Sequence, residues 1–193
     1  MLIAGLVVPS CSIGFNLSGD KPEAGTKTYT DRVYGYSFDY PGDWVVQEGD
    51  PADVTAGNIS KSGISVYDPE GAVADRSYID LFMVSVYELA VTVDESMMPE
   101  VRREVERLLI DLEDQGDWTR TTDLADAAVG GIDGYQVTYT FTTDGVPTTS
   151  TFYFLFTGAI QYQLTLQAAT KTWDQKQPDF EQIVESFKPG LAR

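Results

Sequence analysis

Between Tyr135 and Ala168 the chain alternates apolar and polar residues in three successive runs, each closed by a turn signal. Tyr135, Val137, Tyr139 and Phe141 interleave with Gln136, Thr138 and Thr140, and Asp144-Gly145 follows. Thr149 to Phe156 carries the aromatic run Phe152-Tyr153-Phe154-Leu155-Phe156, after which Thr157-Gly158-Ala159 turns the chain. Ile160, Tyr162, Leu164, Leu166 and Ala168 then alternate with three glutamines and a threonine. A period of two places successive side chains on opposite faces of a strand, and an Asp-Gly pair between two such runs marks a hairpin. The last third of the chain is therefore predicted to be a three-strand antiparallel meander.

The remaining segments supply neighbours for that meander. Tyr36-Ser37-Phe38-Asp39-Tyr40 alternates, Pro41-Gly42-Asp43 is turn chemistry, and Trp44-Val45-Val46 starts a second short strand. Gln47 to Gly63 is polar and reads as a long loop, Ile64 to Tyr67 as a strand, and Asp68 to Asp75 as another loop. Tyr78 to Leu89 is apolar on both faces, as a strand covered on both sides must be. Met98 to Gln115 changes period: Met98, Val101, Val105, Leu108 and Leu112 recur at three and four, with Pro99 in the first turn and Gly116 at the stop. Pro178, Phe180, Ile183, Val184 and Phe187 follow helical spacing up to Pro189-Gly190. The expected class is α+β, an antiparallel sheet with helices laid on it. A length of 193 residues suits one domain, with no solenoid-type repeat.

Composition excludes several chemistries. There are 13 basic and 30 acidic residues, for a net charge of −17, so a phosphate backbone is repelled and nucleic acid is not an expected partner. The chain has no histidine, which removes Ser-His-Asp and Cys-His nucleophile systems and histidine-ligated metals. With one cysteine there is no intrachain disulfide or iron–sulfur ligand set. Residues 1–30 are neutral; residues 31–93 carry 3 bases and 11 acids, and residues 94–126 carry 4 and 11. The charge belongs to the domain and not to a terminal tail.

The N-terminus reads as an address. Leu2 to Pro9 is uncharged and apolar, too short to span a bilayer, which needs about 20 residues, but of the length of a signal-peptide h-region. Val8-Pro9-Ser10-Cys11 is similar to a bacterial lipobox, with an aliphatic residue at −3 and a small one at −1, though Pro9 departs from the pattern and no basic residue precedes the apolar run. On this reading Cys11 is the lipidation site and residues 1–11 are a signal remnant. The other reading of the same residues is a buried strand with Cys11 as a small core side chain. Residues 12–27 mix Gly, Ser, Pro, Asn and charge without a period, as a flexible tether does, and residues 28–189 form the folded domain. Asn16 and Asn58 stand in glycosylation sequons by pattern alone.

The run YGYSFDYPGDWVV, an aromatic strand followed by a Tyr-Pro-x-x-Trp turn, resembles the opening of PsbP-like domains. Gly134-Tyr135, the meander with Tyr162-Gln163-Leu164-Thr165-Leu166, and then Phe180, Ile183 and Ser186-Phe187 fit the close of such domains, so that the resemblance covers roughly residues 28–189. Such domains occur in an extrinsic photosystem subunit and in many bacterial lipoproteins, actinobacterial ones among them. They share their fold with a eukaryotic nuclear-transport factor acting on the small GTPase Ran. The resemblance implies an α/β/α sandwich around a central antiparallel sheet, and it brings no catalytic residue set.

Candidate sites are few. Asp50 with Asp53, and Asp68, Glu70 and Asp75, are loop carboxylates that calcium could gather, but neither group follows an EF-hand spacing. Ser37, Ser65 and Ser85 sit in strand-like surroundings, outside any G-x-S-x-G. Gly130, Gly131 and Gly134 read as turn glycines, and the two aromatic groups as core. Trp118 and Trp173, near element ends, are expected half exposed. The function expected is a non-enzymatic binding or assembly module with no cofactor. It is extracytoplasmic, held to the membrane by lipid at Cys11, and has a protein partner. The alternatives are a carboxylate- or divalent-metal-dependent hydrolase and a small-ligand carrier.

Overall fold

A computed structural model of the chain describes residues 25–48, 62–75, 77–114 and 116–190. Cys11, the tether up to residue 24, and the loop residues Asp50, Asp53 and Asn58 lie outside the described residues.

The strands run in chain order as β1 (Thr26–Thr30), β2 (Ser37–Pro41), β3 (Val45–Glu48), β4 (Ser62–Tyr67), β5 (Val73–Ala74), β6 (Ser77–Tyr78) and β7 (Leu81–Val93). Helix α1 (Met98–Glu113) is followed by β8 (Thr119–Arg120), β9 (Ala125–Val129), β10 (Ile132–Thr143), β11 (Val146–Ala169) and helix α2 (Trp173–Ser186). The main sheet has the order β3-β4-β7-β11-β10-β8, with β9 also on β10, and every pairing in it is antiparallel.

β11 is one stretch of extended backbone that doubles back on itself. A straight strand would separate residues 150 and 167 by about 55 Å, yet Ser150 Oγ donates to Gln167 Oε1 at 3.2 Å and Thr170 N–H to Pro147 O at 2.8 Å. The reversal falls at Gly158, where φ is +58°, in the turn expected from Thr157-Gly158-Ala159. The early arm pairs β10 and the late arm pairs β7, so the predicted meander is present. Its other hairpins turn on Asp144-Gly145 (φ +47° and +83°) and on Gly130-Gly131 (φ +59° and +78°), conformations that two-residue hairpins demand.

Helices cover the two faces. On one face, β2, α2 and Trp44 close over Val84, Val86, Leu164 and Leu166. Tyr36, Phe38 and Tyr40 pack there as expected; Phe38 meets Phe82 edge-on at 5.0 Å. On the other face, Val101, Val105 and Leu109 of α1 cover Phe152, Phe154, Phe156, Tyr135, Val137 and Tyr139. This is the α+β arrangement read from the residues, and the α/β/α sandwich around an antiparallel sheet that the resemblance implied.

Differences are local. β1 begins at Thr26, slightly ahead of residue 28. α2 begins at Trp173, five residues before Pro178, because Asp174 to Gln177 carry no apolar period to announce it. The predicted strand from Tyr78 divides at Ile79-Asp80: Asp80 is buried and accepts N–H groups from Ala72 (3.1 Å) and Ala169 (2.9 Å). Gly134 is not a turn glycine. It lies within β10, where a Cβ would stand 2.0 Å from Phe154 O.

Candidate functional site

Most of the acids near the sheet already have structural work. Arg120 on β8 donates from Nε to Glu113 Oε1 and from Nη1 to Glu106 Oε1, both at 2.7 Å, and Tyr139 donates to Glu113 at 2.6 Å. Burial pushes Glu113 up, but the Tyr139 hydroxyl and Arg120 outweigh it and hold the carboxyl below its ordinary range. Burial acts against the charge of Arg120, and its two carboxylate partners overcome that. Trp118 stacks on Phe141 at 3.9 Å beside this group, partly buried as expected. The exposed charges of α1 pair along the helix, Arg103 with Glu100 and Arg107 with Glu104 and Asp111, which is a solvated face and little more.

The loop carboxylates do not converge. Asp68 pairs with Lys176 of α2 and accepts the Glu70 N–H at 2.8 Å. Lys176 also stands 5.8 Å from the Trp44 ring centroid, and its ammonium is held above the ordinary lysine value, burial opposing and Asp68 prevailing. Among the described residues no three His, Cys, Asp or Glu side chains come together as a metal site would require.

A shallow groove of about 140 Å³ runs between α2 and the early arm of β11, lined by Tyr153, Trp173, Phe180, Glu181 and Glu185 among others. Trp173 forms its wall against Phe180 at 5.5 Å, and burial followed by the charge of Glu181 raises Tyr153 above its usual phenol value. The groove is a notch beside the core with no unmatched polar group in it that the structure marks.

The unusual place is the opposite face of the late arm of β11. Alternation would ordinarily turn its polar residues to water. Instead Gln161 is 0%, Gln163 1% and Thr165 0% exposed. The antiparallel register sets Gln161 beside Tyr87, Gln163 beside Ser85 and Thr165 beside Met83 on β7. Ser85 in turn faces Gly63, and Met83 faces Ser65, on β4. Continuing the Ser150–Gln167 register up the two arms places Phe154 next to Gln163 and Phe156 next to Gln161. A neutral polar column thus lies between an aromatic one and β7.

Almost none of that column is satisfied. Among the described residues seven buried side-chain polar atoms lack a hydrogen-bond partner; six are Tyr87 Oη, both amide atoms of Gln161 and of Gln163, and Thr165 Oγ1. Burial pushes the Tyr87 phenol up to about 12, the neighbouring Ser85 hydroxyl acting the other way. Each buried polar group left unmatched costs about 1–3 kcal/mol, and native proteins keep such groups few. At the far end of the same column the pattern is ordinary: Gln167 accepts from Ser150 and donates to Ile79 O at 3.2 Å. The signal was in the sequence as Gln-x-Gln-x-Thr-x-Gln, but alternation does not say whether the polar face meets water or is covered.

The fold is an antiparallel sheet clasped between helices, and among the described residues six of the seven unmatched buried side-chain atoms belong to neutral groups on one face of that sheet. The sequence model of the PsbP-like proteins matches residues 17–189, and the chain belongs to that family. No curated protein matches it. Among solved structures, cyanobacterial PsbP from Synechocystis sp. PCC 6803 is similar at a TM-score of 0.57 and 16% identity, over 90% of this chain and 98% of that one. LpqN of Mycobacterium tuberculosis, described as involved in cell envelope biogenesis, aligns at a TM-score of 0.43 and 12% identity over 89% and 87%. A Pseudomonas aeruginosa protein of unknown function aligns at 0.49 and 13% over 86% and 99%. Likeness at these identities concerns the fold alone. Among the described residues no helix is long and apolar enough to cross a membrane.

Proposed function

We propose that the protein is a non-enzymatic binding module, extracytoplasmic and held to the membrane through a lipid on Cys11, and that the polar face of β7 and β11 is where it binds. The single observation carrying the binding role is the group of six unmatched atoms on Tyr87, Gln161, Gln163 and Thr165. Amides and hydroxyls bind well and are poor acids and bases. The carboxylates Glu106, Glu113 and Asp68 are engaged by Arg120 and Lys176. Support for the anchor is the Val8-Pro9-Ser10-Cys11 sequence, followed by the neutral, aperiodic stretch to residue 27.

Native mass spectrometry of protein released from its own membrane tests the binding role. The expected result is an added mass that disappears in the double variant Gln161→Leu, Gln163→Leu. An unchanged adduct in that variant, or robust turnover in a broad hydrolase screen, contradicts the reading. For the anchor, Cys11→Ala is expected to move the protein from the membrane fraction to the soluble one; continued membrane association of the variant would remove it.

A further inference from the structure

The groove between α2 and the early arm of β11 lies on the other face of the sheet from the polar column, and it is open to solvent. From its lining we infer that it takes a single arginine side chain of a partner protein, the guanidinium set against the Trp173 ring and answered by Glu181 and Glu185. The inference goes beyond the binding reading above and does not depend on the polar column.

Size limits the occupant. The groove holds about 140 Å³, against roughly 300–1,000 Å³ for sites that enclose a whole small molecule. It has room for one side chain and leaves the rest of a ligand outside. The surface beyond it is uncharged and half-buried: on β10, Gln136 stands beside Tyr153 and Thr138 beside Thr151. A polypeptide that inserted one residue would lie along that ledge.

The lining selects the residue. Tyr153, Trp173 and Phe180 give the groove aromatic walls, and Trp173 is only half-buried. A cation over an aromatic face is attracted by the ring quadrupole. Glu181 and Glu185 add two exposed carboxylates, one helical turn apart on α2. Among the described residues neither joins an ion pair, and Lys176 of the same helix is committed to Asp68. Their charge is felt inside the groove, since Glu181 adds to burial in raising the Tyr153 phenol. Helix stability does not account for them. Like charges four residues apart repel, and Glu185 stands in the last turn of α2, at the negative end of the helix, where no basic residue offsets it.

A guanidinium meets both features. It stacks on rings and its fork of donors matches carboxylates, whereas an ammonium is a strongly hydrated point charge. Calcium takes six to eight oxygens, and two exposed carboxylates fall well short of that.

The test is a nuclear magnetic resonance titration of the full chain with a capped pentapeptide, Gly-Ser-Arg-Ser-Gly, followed at the Trp173 indole N–H. The indole signal is expected to shift with this peptide and to stay in place with one carrying citrulline, an uncharged isostere, instead of arginine. The affinity is expected to fall about fivefold or more for Glu181→Gln, Glu185→Gln, the loss of two exposed charge pairs. Both substitutions are on the surface, and retained folding is read from an unchanged spectrum of β10. Equal binding of the citrulline peptide overturns the inference, as does an unchanged affinity in the double variant. Agmatine, a free small cation with the same guanidinium, binding as tightly as the peptide would assign the groove to a small ligand and overturn the partner chain. No indole shift up to about 10 mM peptide, where a site of about 1 mM would be nearly filled, overturns it outright.

Discussion

Arg120 shows how one side chain is fixed by several terms at once. It is mostly buried, its guanidinium lies 5.8 Å from the Tyr139 ring centroid, and it bridges Glu106 and Glu113. Two carboxylates on one guanidinium offset the desolvation that a lone ion would suffer. Glu113 has its folded pKa lowered by Tyr139 and Arg120 against burial. A carboxyl of that kind stabilises the fold above its unfolded pKa, near 4, and gives that contribution up as pH falls through the lower folded value. Arg120→Met is therefore expected to cost about 2 kcal/mol at neutral pH, between the values for exposed and for buried pairs. Its melting temperature should also depend less steeply on pH than the wild type's below about pH 5. Thermal melts of both proteins from neutral pH down to about pH 3 check the two statements together; parallel curves would contradict the second.

At the scale of elements, strand pairing sets the tolerances. Gly134 on β10 lies opposite Leu155, and its missing side chain leaves room for Phe154 O. Gly134→Ala is expected to destabilise by about 2–3 kcal/mol, as overpacking against backbone does, read as a lower urea midpoint. The meander, α1 and the turns at Asp144-Gly145 and Gly158 were legible in the sequence because each rests on a local rule: a period, a positive φ, a cap. Gly134 was not legible, since close approach of a neighbouring strand leaves no mark at its own position. The start of α2 was hidden for the opposite reason, its first turns being polar apart from Trp173. β8 and β9 are short, and Ala125 to Val129 becomes a strand by pairing with β10. The candidate site was legible as an alternation of glutamine and threonine, but not as a buried one, because burial of a sheet face is decided by elements distant in sequence.

At the scale of the whole molecule, the net charge of −17 is a solubility and partner-choice term and not a fold term. An acidic domain repels itself, so screening by salt is expected to stabilise it. The melting temperature should rise by a few degrees between about 10 and 300 mM sodium chloride, and a fall over that range would contradict the prediction. The buried column of Gln161, Gln163 and Thr165 runs the other way: it is neutral, insensitive to salt, and stabilises nothing by itself. Departures of this kind from the rule that buried polar groups are matched tend to mark working sites. That is the central claim, and melting of Gln161→Leu, Gln163→Leu tests it most directly. If the glutamines are kept for a ligand, replacing them with apolar side chains of similar size removes unmatched groups. The free protein should then melt about 2–6 °C higher. A variant that melts several degrees lower than the wild type would show that the glutamines serve the fold, and would contradict the account.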